Sequence, residues 1–515
     1  MNHHKNAAPT NSEQFEGDVL DALVNSDEIR KSDYRGSELI YPEPFGMSVA
    51  HKTNPVQYSD FTILGSAAGA FGFHSEVPEA QFPSVNLETT FGVGKGICCK
   101  LPFELTAMGS SALVRSNWAS LAAGAAISGV PLWIGENVCG MDIDAKFAEG
   151  RVISGPELDW RVKCYRNWQL EGYGDVIVQA NVEDTMLGVQ EYALKYLGVQ
   201  SVELKWGQSA DVGREVKISR LKDAQELKRR GYTVHPDPLL PQVEQAFKDG
   251  SFHHFEVHSR IGMTTREAFL KRVDELRKAG AKHVTLKTGA YRPAELARAV
   301  KFASEAKLDL LTVDAAAGET GMSPRRMVNA WGIPGIELHS LLREFLERLR
   351  KRGEFVPDVA VGGGFAFEDQ LFKALAMGSP YVKLISFARG PLAVALVAES
   401  IAKGIEDKNV PTYIQRFALD VDEMFVETPE LRRMLGDRVH KLPTGAVAVY
   451  NHFQRLAKGL RQFMAGARKF SLREIERNDV AALTQEASRV SGIPMVMEMD
   501  REEIETIFEG KRKRK

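Results

Sequence analysis

A chain of 515 residues has room for two to four ordinary domains, or for one large domain with additions. With 44% apolar and 26% charged residues it can bury a large core, which excludes a disordered or fibrous chain. Its 66 basic and 68 acidic residues leave a net charge of −2, which excludes a general polyanion binder, and only four cysteines exclude a disulfide scaffold.

The first 85 residues read as an N-terminal extension. It opens with the polar MNHHKNAAPTNSEQFEGD, which lacks the apolar centre of a secretory signal, and turns Gly- and Ala-rich at LGSAAGAFGF. Residues 86–403 then alternate strand-like and helix-like patterns. Four apolar or β-branched runs come first: Phe103–Ala107, Val130–Ile134, Asp175–Gln179 and Ser201–Lys205. After a long gap that suggests an insertion (206–262) come His283–Lys287, Asp309–Val313, Pro357–Val361 and Tyr381–Ile385. Helical patterns follow at Thr264–Lys278, Pro293–Glu305, Phe367–Met377 and Pro391–Lys403. The uncharged stretch Ser116–Gly135 is long enough for a membrane span. Gly129, Pro131 and many small residues make it a buried helix followed by a buried strand.

Continuous apolar runs suit strands buried on both faces. Eight strand–helix units predict an α/β fold, a TIM (β/α)8 barrel, over an open doubly wound sheet. Residues 404–515 fall outside those units. Val449, Phe453, Leu456, Leu460, Phe463 and Met464 recur at helical spacing, so this region reads as a helical C-terminal appendage packed on the barrel or on a second copy. The basic end, GKRKRK, reads as a solvated terminus.

Barrel active sites form where the strands end. The residues there are Ala107–Ser111, Gly135–Glu136, Gln179, Lys205 with WGQS, Lys287, Asp314–Gly321, Gly362–Gly364 and Phe387–Pro391. Small residues after the first strand let backbone approach a flat ligand. The triple glycine after the seventh strand and Arg389 after the eighth suit a phosphate, although a triple glycine alone is more often a turn. Lys205 and Lys287 would point into the barrel mouth. They need an anionic ligand there, or else ion pairs with Glu136 or Asp314.

These residues carry a resemblance. VTLKTGAYRPAELARAV, LLTVDAAAGETGMSP and VAVGGGFAFEDQLFKALAMGSPYVKL resemble the FMN-binding domain of glutamate synthase, and more distantly the FMN barrels of 2-hydroxy-acid oxidases. LPFELTAMGSSAL, Gly135–Glu136 and ELKWGQSADVG agree, so the likeness spans roughly residues 90–400 in collinear pieces. It implies FMN as cofactor and a flavoprotein oxidoreductase of amino-acid metabolism. By position, Ala107, Met108, Gly109 and Ser110 would lie under the flavin ring. Gln179, Lys205 and Gln208 would meet its edge. Lys287 would stand near N1/O2 and steady the reduced ring. Gly318, Gly321, Gly362, Gly363, Gly364, Ala388 and Arg389 would cradle the phosphate. Glu136, Lys205 and Lys287 are the catalytic candidates, Glu136 for proton handling.

The departures are as specific. The family's iron–sulfur cysteines follow the eighth strand, but here no cysteine lies beyond Cys164, so no iron–sulfur cluster is expected, and no metal site. The family's amidotransferase domain, with its N-terminal catalytic Cys, is not expected in this chain. Asp211 replaces a family Lys, and NVEDTMLG replaces a segment whose Arg would bind 2-oxoglutarate. The expected reaction is hydride transfer through flavin to or from a small C=N or C–N substrate, with glutamate/2-iminoglutarate as one candidate. Electrons or ammonia would come from a separate subunit. A 2-hydroxy-acid or amino-acid oxidase on the same barrel and a non-catalytic flavin-barrel subunit are the alternatives. The expected setting is cytoplasmic, as a homo-oligomer that binds neither nucleic acid nor membrane.

Overall fold

Eight parallel strands close on themselves in chain order. They are β1 (Phe103–Met108), β2 (Leu132–Ile134), β3 (Val176–Ala180), β4 (Ser201–Lys205), β5 (His283–Thr288), β6 (Leu310–Asp314), β7 (Asp358–Gly362) and β8 (Val382–Phe387). β8 pairs with β1 to complete the ring. This is the computed structural model of the chain, and it describes residues 56–67, 81–207, 215–258, 265–318, 330–410, 412–416 and 424–509. Each run read from the sequence is a barrel strand, its ends moved by two residues at most. The four helical patterns form as Arg266–Lys278, Pro293–Glu305, Glu368–Gly378 and Arg389–Glu406.

The strands are buried on both faces, but their two faces differ in chemistry. Leu105, Val178, Val202, Leu286, Leu311, Val361 and Ile385 pack outward into the main apolar core. The alternate residues Glu104, Thr106, Gln179, Glu203, Thr285, Lys287, Thr312, Asp314 and Ser386 are also buried. Continuous apolar character is therefore a misreading of these strands. They alternate with period two, and the polar set faces the lumen, which is closed from solvent.

The lower lumen is apolar. A hairpin of Thr89–Phe91 and Ile97–Cys99 inserts Phe91, Ile97 and Cys99 against Trp133, Ile177, Leu310, Ala360 and Leu384. Burying one such aromatic contributes about 1.5–3 kcal/mol. The turn is fixed by Gly92 N donating to Asp358 Oδ2 (3.0 Å) and Val93 N to Asp309 Oδ1 (2.9 Å). Among the described residues the hairpin thus plugs one barrel end and leaves the C-terminal mouth for a ligand.

The uncharged stretch forms helix Ala112–Ile127 and then β2. Its small residues have a packing reason: a Cβ on Gly124 would come within 2.6 Å of Val449 Cβ. Val449 lies on helix Thr444–Gly466, which packs against helices Ala112–Ile127, Glu368–Gly378 and Arg389–Glu406. Val449, Phe453, Leu456, Leu460 and Met464 belong to the barrel's own core, while Phe463 stays partly exposed. The C-terminal region also contributes a strand. Val480–Ala482 pairs antiparallel with Phe61–Ile63, which ties a segment before the barrel to one after it. Among the described residues no helix is long and apolar enough to cross a membrane.

The insertion after β4 includes an antiparallel sheet of Glu215–Ile218, Phe255–His258 and Thr233–His235, with helices Leu221–Arg229 and Pro241–Lys248. It sits on the loop after β2. Arg230 donates to the carbonyls of Gly140 (2.8 Å) and Asp142 (2.7 Å), and Tyr232 Oη to Asn137 Oδ1 (3.2 Å).

Candidate active site at the barrel mouth

β4 and β5 bring Lys205 and Lys287 side by side in register. Two ammonium groups this close require counter-charges, and each has one. Lys205 Nζ lies 2.7 Å from Glu136 Oε1, and Lys287 Nζ lies 2.9 Å from Asp314 Oδ2. Lys287 Nζ also donates to Thr106 Oγ1 (2.7 Å). The ion pairs weighed from the sequence are therefore both present, and any ligand in the mouth meets pairs rather than bare lysines. Lys287 is 1% exposed. Gln179 is also buried: its Nε2 donates to Glu203 Oε1 (2.7 Å), while its Oε1 has no partner among the described residues.

The loops after β1 and β2 touch backbone to backbone. A Cβ on Gly135 would stand 2.5 Å from the Met108 carbonyl carbon and 2.6 Å from Gly109 N, and one on Gly109 would stand 2.7 Å from Glu136 O. Both glycines are needed for this contact, which Gly135 N seals by donating to Met108 O (3.0 Å). The same contact carries Glu136 to Lys205. Ser110 Oγ lies 3.2 Å from Met141 Sδ. Ser111 is not a ligand-facing residue. It caps helix Ala112–Ile127, its Oγ accepting from Val114 N (3.3 Å).

The loops after β6, β7 and β8 meet on the other side. A Cβ on Gly362 would lie 2.0 Å from Asp314 Oδ1. Gly363 (φ +105°) and Gly364 (φ +87°) are in the left-handed region, and a Cβ on Gly363 would lie 3.0 Å from Ala315 N. Close loop packing thus requires the glycines by itself. Arg389 Nη2 donates to Ala317 O (2.8 Å), one residue before Gly318, and joins the sixth and eighth loops. Helix Arg389–Glu406 begins after Ala388 with no side-chain cap, and the positive end of its dipole lies at these loops, where it favours an anion. Gln208 and Gly321 lie outside the described residues.

Three buried groups escaped the sequence reading. Arg161, on helix Pro156–Arg166, is fully buried. It donates to Met108 O (3.3 Å) and Gly109 O (2.9 Å), pairs with Glu157 (2.7 Å) and stacks on Trp118 (4.6 Å). It holds the loop below the mouth from behind, and nothing local in its sequence marks it. Glu104 and Glu203 stand inside β1 and β4, two residues before Thr106 and Lys205. A strict period-two reading of FELTA and SVELK would have put them on the lumen face. Burial and the nearby Glu203 push the Glu104 carboxyl up to about 8, against the pull of Ser386 and Lys287. Burial pushes Glu203 up to about 7. Asp184, close to Glu136, is raised to about 7 by burial as well.

The four cysteines carry no disulfide. Cys98 and Cys99 are in the plugging hairpin, Cys139 follows β2, and Cys164 is on helix Pro156–Arg166. Among the described residues no group of three or more His, Cys, Asp or Glu side chains is placed to hold a metal.

Residues 257–396 match the family described as the conserved region in glutamate synthase. That stretch contains β5 to β8 with Lys287, Gly318, Gly362–Gly364 and Arg389. No curated protein matches the chain. Among solved structures, a mutant flavocytochrome b2 with pyruvate bound is 12% identical with a TM-score of 0.48, and the alignment covers 94% of each chain. The recombinant flavin-binding domain of baker's yeast flavocytochrome b2 is 14% identical with a TM-score of 0.47, covering 94% of this chain and 93% of that one. Mandelate oxidase with (S)-2-phenylpropionate is 15% identical with a TM-score of 0.45, covering 90% and 96%.

Proposed function

We propose that this chain is an FMN-dependent oxidoreductase of the glutamate synthase-like type, acting on a small substrate with a C–N or C=N bond. One observation carries the reading. Lys287 is a buried cation at the strand-end mouth, on the same barrel end as the glycine loops and the uncapped helix at Arg389. The family match over residues 257–396 supports it.

The residues present fit FMN. Gln179 Oε1 is a buried acceptor with no partner among the described residues, suited to a ring N–H. Gly362–Gly364, Arg389 and the helix N-terminus behind Ala388 would hold the phosphate. Gln179, Lys205 and Lys287 would meet the ring edge, and Ala107–Ser110 would form its floor. Bound FMN would supply hydride chemistry to this site. Lys287 fixes positive charge where added negative charge needs it, and Asp314 and Thr106 orient its ammonium. Glu136 holds or releases a proton at Oε1 against the Lys205 ammonium.

The test is an absorbance spectrum of the purified protein, with mass analysis of the released cofactor and an iron assay. FMN without iron is expected; a colourless protein that takes up no FMN sinks the reading. Turnover of 2-oxoglutarate with ammonia, set against 2-hydroxy acids, separates the substrate classes. A flavin barrel without catalysis is a second reading. It is favoured by the pairing of Lys205 with Glu136, which leaves neither charge committed to a substrate. Photoreduced protein that no candidate acceptor reoxidises would select it.

A further inference from the structure

The lumen below Lys287 holds more acid than base. Along the strand register Glu104 stands beside Ser386, Lys287 beside Thr312, and Glu203 beside Thr285. Glu104 and Glu203 are both at most 1% exposed. Lys287 is already matched by Asp314 at 2.9 Å, and Lys205 by Glu136 at 2.7 Å. Two further carboxyls therefore share a closed space and, among the described residues, form no ion pair of their own, although Lys287 attracts both. The other charged groups of these strands, Asp175, His283, Asp309, Asp358 and Lys383, lie near their N-terminal ends, where the hairpin binds, and the hairpin itself faces Glu104 with Cys99, whose thiol is pushed well up by burial and so stays neutral. Ionising both carboxyls there costs several kcal/mol per ion, and like charges that share a site do not both ionise.

A second observation points the same way. Among the described residues Thr312 Oγ1 has no hydrogen-bond partner and the Glu104 carboxyl has no well-formed one beyond the pull of the neighbouring Ser386 hydroxyl, and all three residues are more than nine-tenths buried. Such atoms are the partners a buried water needs, and waters between them give a carboxyl a route to exchange its proton.

We propose that Glu104 and Glu203 form a proton store under Lys287. The pair holds at least one proton at neutral pH and takes up more when negative charge arrives above Lys287. Each uptake turns one carboxylate and one hydronium ion into a carboxylic acid and water, with no redox change in the protein. The electrostatics agree: Lys287 pulls both carboxyls down, so an anion that offsets its charge raises both. The first half stands on this chain alone, whereas the second rests on the proposed FMN site.

Infrared spectroscopy of the purified protein tests the first half. A carboxylic-acid C=O band should be present at pH 7, fade as pH rises toward 9, and diminish in Glu104→Gln and in Glu203→Gln. Absence of any such band at pH 7 in the wild type overturns the proposal. The second half is read from the FMN midpoint potential against pH. One extra proton per two electrons steepens the fall by about 30 mV per pH unit, a tenfold change in the equilibrium constant. That excess should be present in the wild type near pH 7–8 and reduced in Glu104→Gln. Equal slopes overturn the linkage. A protein that binds no FMN sinks the proposed function instead and leaves the infrared result to decide the store.

Discussion

Arg161→Met separates stability from site geometry. Met keeps most of the apolar stem and removes the guanidinium. The side chain loses two charge-assisted hydrogen bonds, to Met108 O and Gly109 O, its pair with Glu157, and its stacking on Trp118. Removing one partner of a buried pair costs about 3–5 kcal/mol, because the other charge is left without compensation. The remaining partner of Glu157 is Arg115 at 3.4 Å, which is 61% exposed and so a weak substitute. A loss of about 3–5 kcal/mol is therefore expected in urea denaturation. Arg161→Lys should rescue little, since an ammonium cannot span two carbonyls and a carboxylate at once. The double variant Arg161→Met/Glu157→Gln should recover about half of the stability, because the orphaned charge is gone. It should not recover FMN affinity, expected to stay at least about tenfold weak (about 1.4 kcal/mol), because Met108 and Gly109 remain unheld. A single variant within about 1 kcal/mol of wild type, or a double variant with full affinity, would refute the clamp.

Lys287→Met should cost about 3–5 kcal/mol by stranding Asp314. Adding Asp314→Asn should restore much of that loss in the same denaturation assay, while FMN binding stays lost. Gly135→Ala forces a Cβ against the Met108–Gly109 peptide and should cost about 1–3 kcal/mol or more in thermal melts. Gly466→Ala, at a helix end with open space around it, should be neutral or stabilising by up to about 1 kcal/mol in parallel thermal melts. For pH, Glu104 is raised from 4.5 to about 8 and Glu203 from 4.5 to about 7, so between those values the folded state binds more protons than the unfolded chain. Their contribution is fully present below about pH 4.5 and is lost as pH climbs toward 8. Glu104→Gln should flatten that decline. An unchanged slope in unfolding free energy against pH would show that Glu104 does not titrate there.

Strand positions were legible because barrel strands must bury both faces, and a run such as SVELK or HVTLK contrasts sharply with the helices around it. Lys205, Lys287 and the Gly362–Gly364 run were legible because strand ends are where barrel chemistry sits. Their pairing was not fully determined. The sequence offered Glu136 and Asp314 as partners, and only closure of the ring decided which lysine took which. Gly109 read as a flavin-floor glycine and Gly135 only as the neighbour of Glu136, yet each is first required by the other's loop, a contact across residues distant in sequence. Arg161 could not have been found by pattern, because its partners come from a loop about fifty residues earlier.

The sequence by itself determined the barrel, because eight short buried runs, most of them followed by a helical pattern, are local consequences of residue order. It did not determine what fills the lumen. That depends on shear and register, which place Glu104 beside Ser386 and set Glu203 near Lys287 from strands far apart in sequence. The energy of a buried charge depends on what stands across from it in space, so the acid excess under Lys287 was decided only by the closed ring.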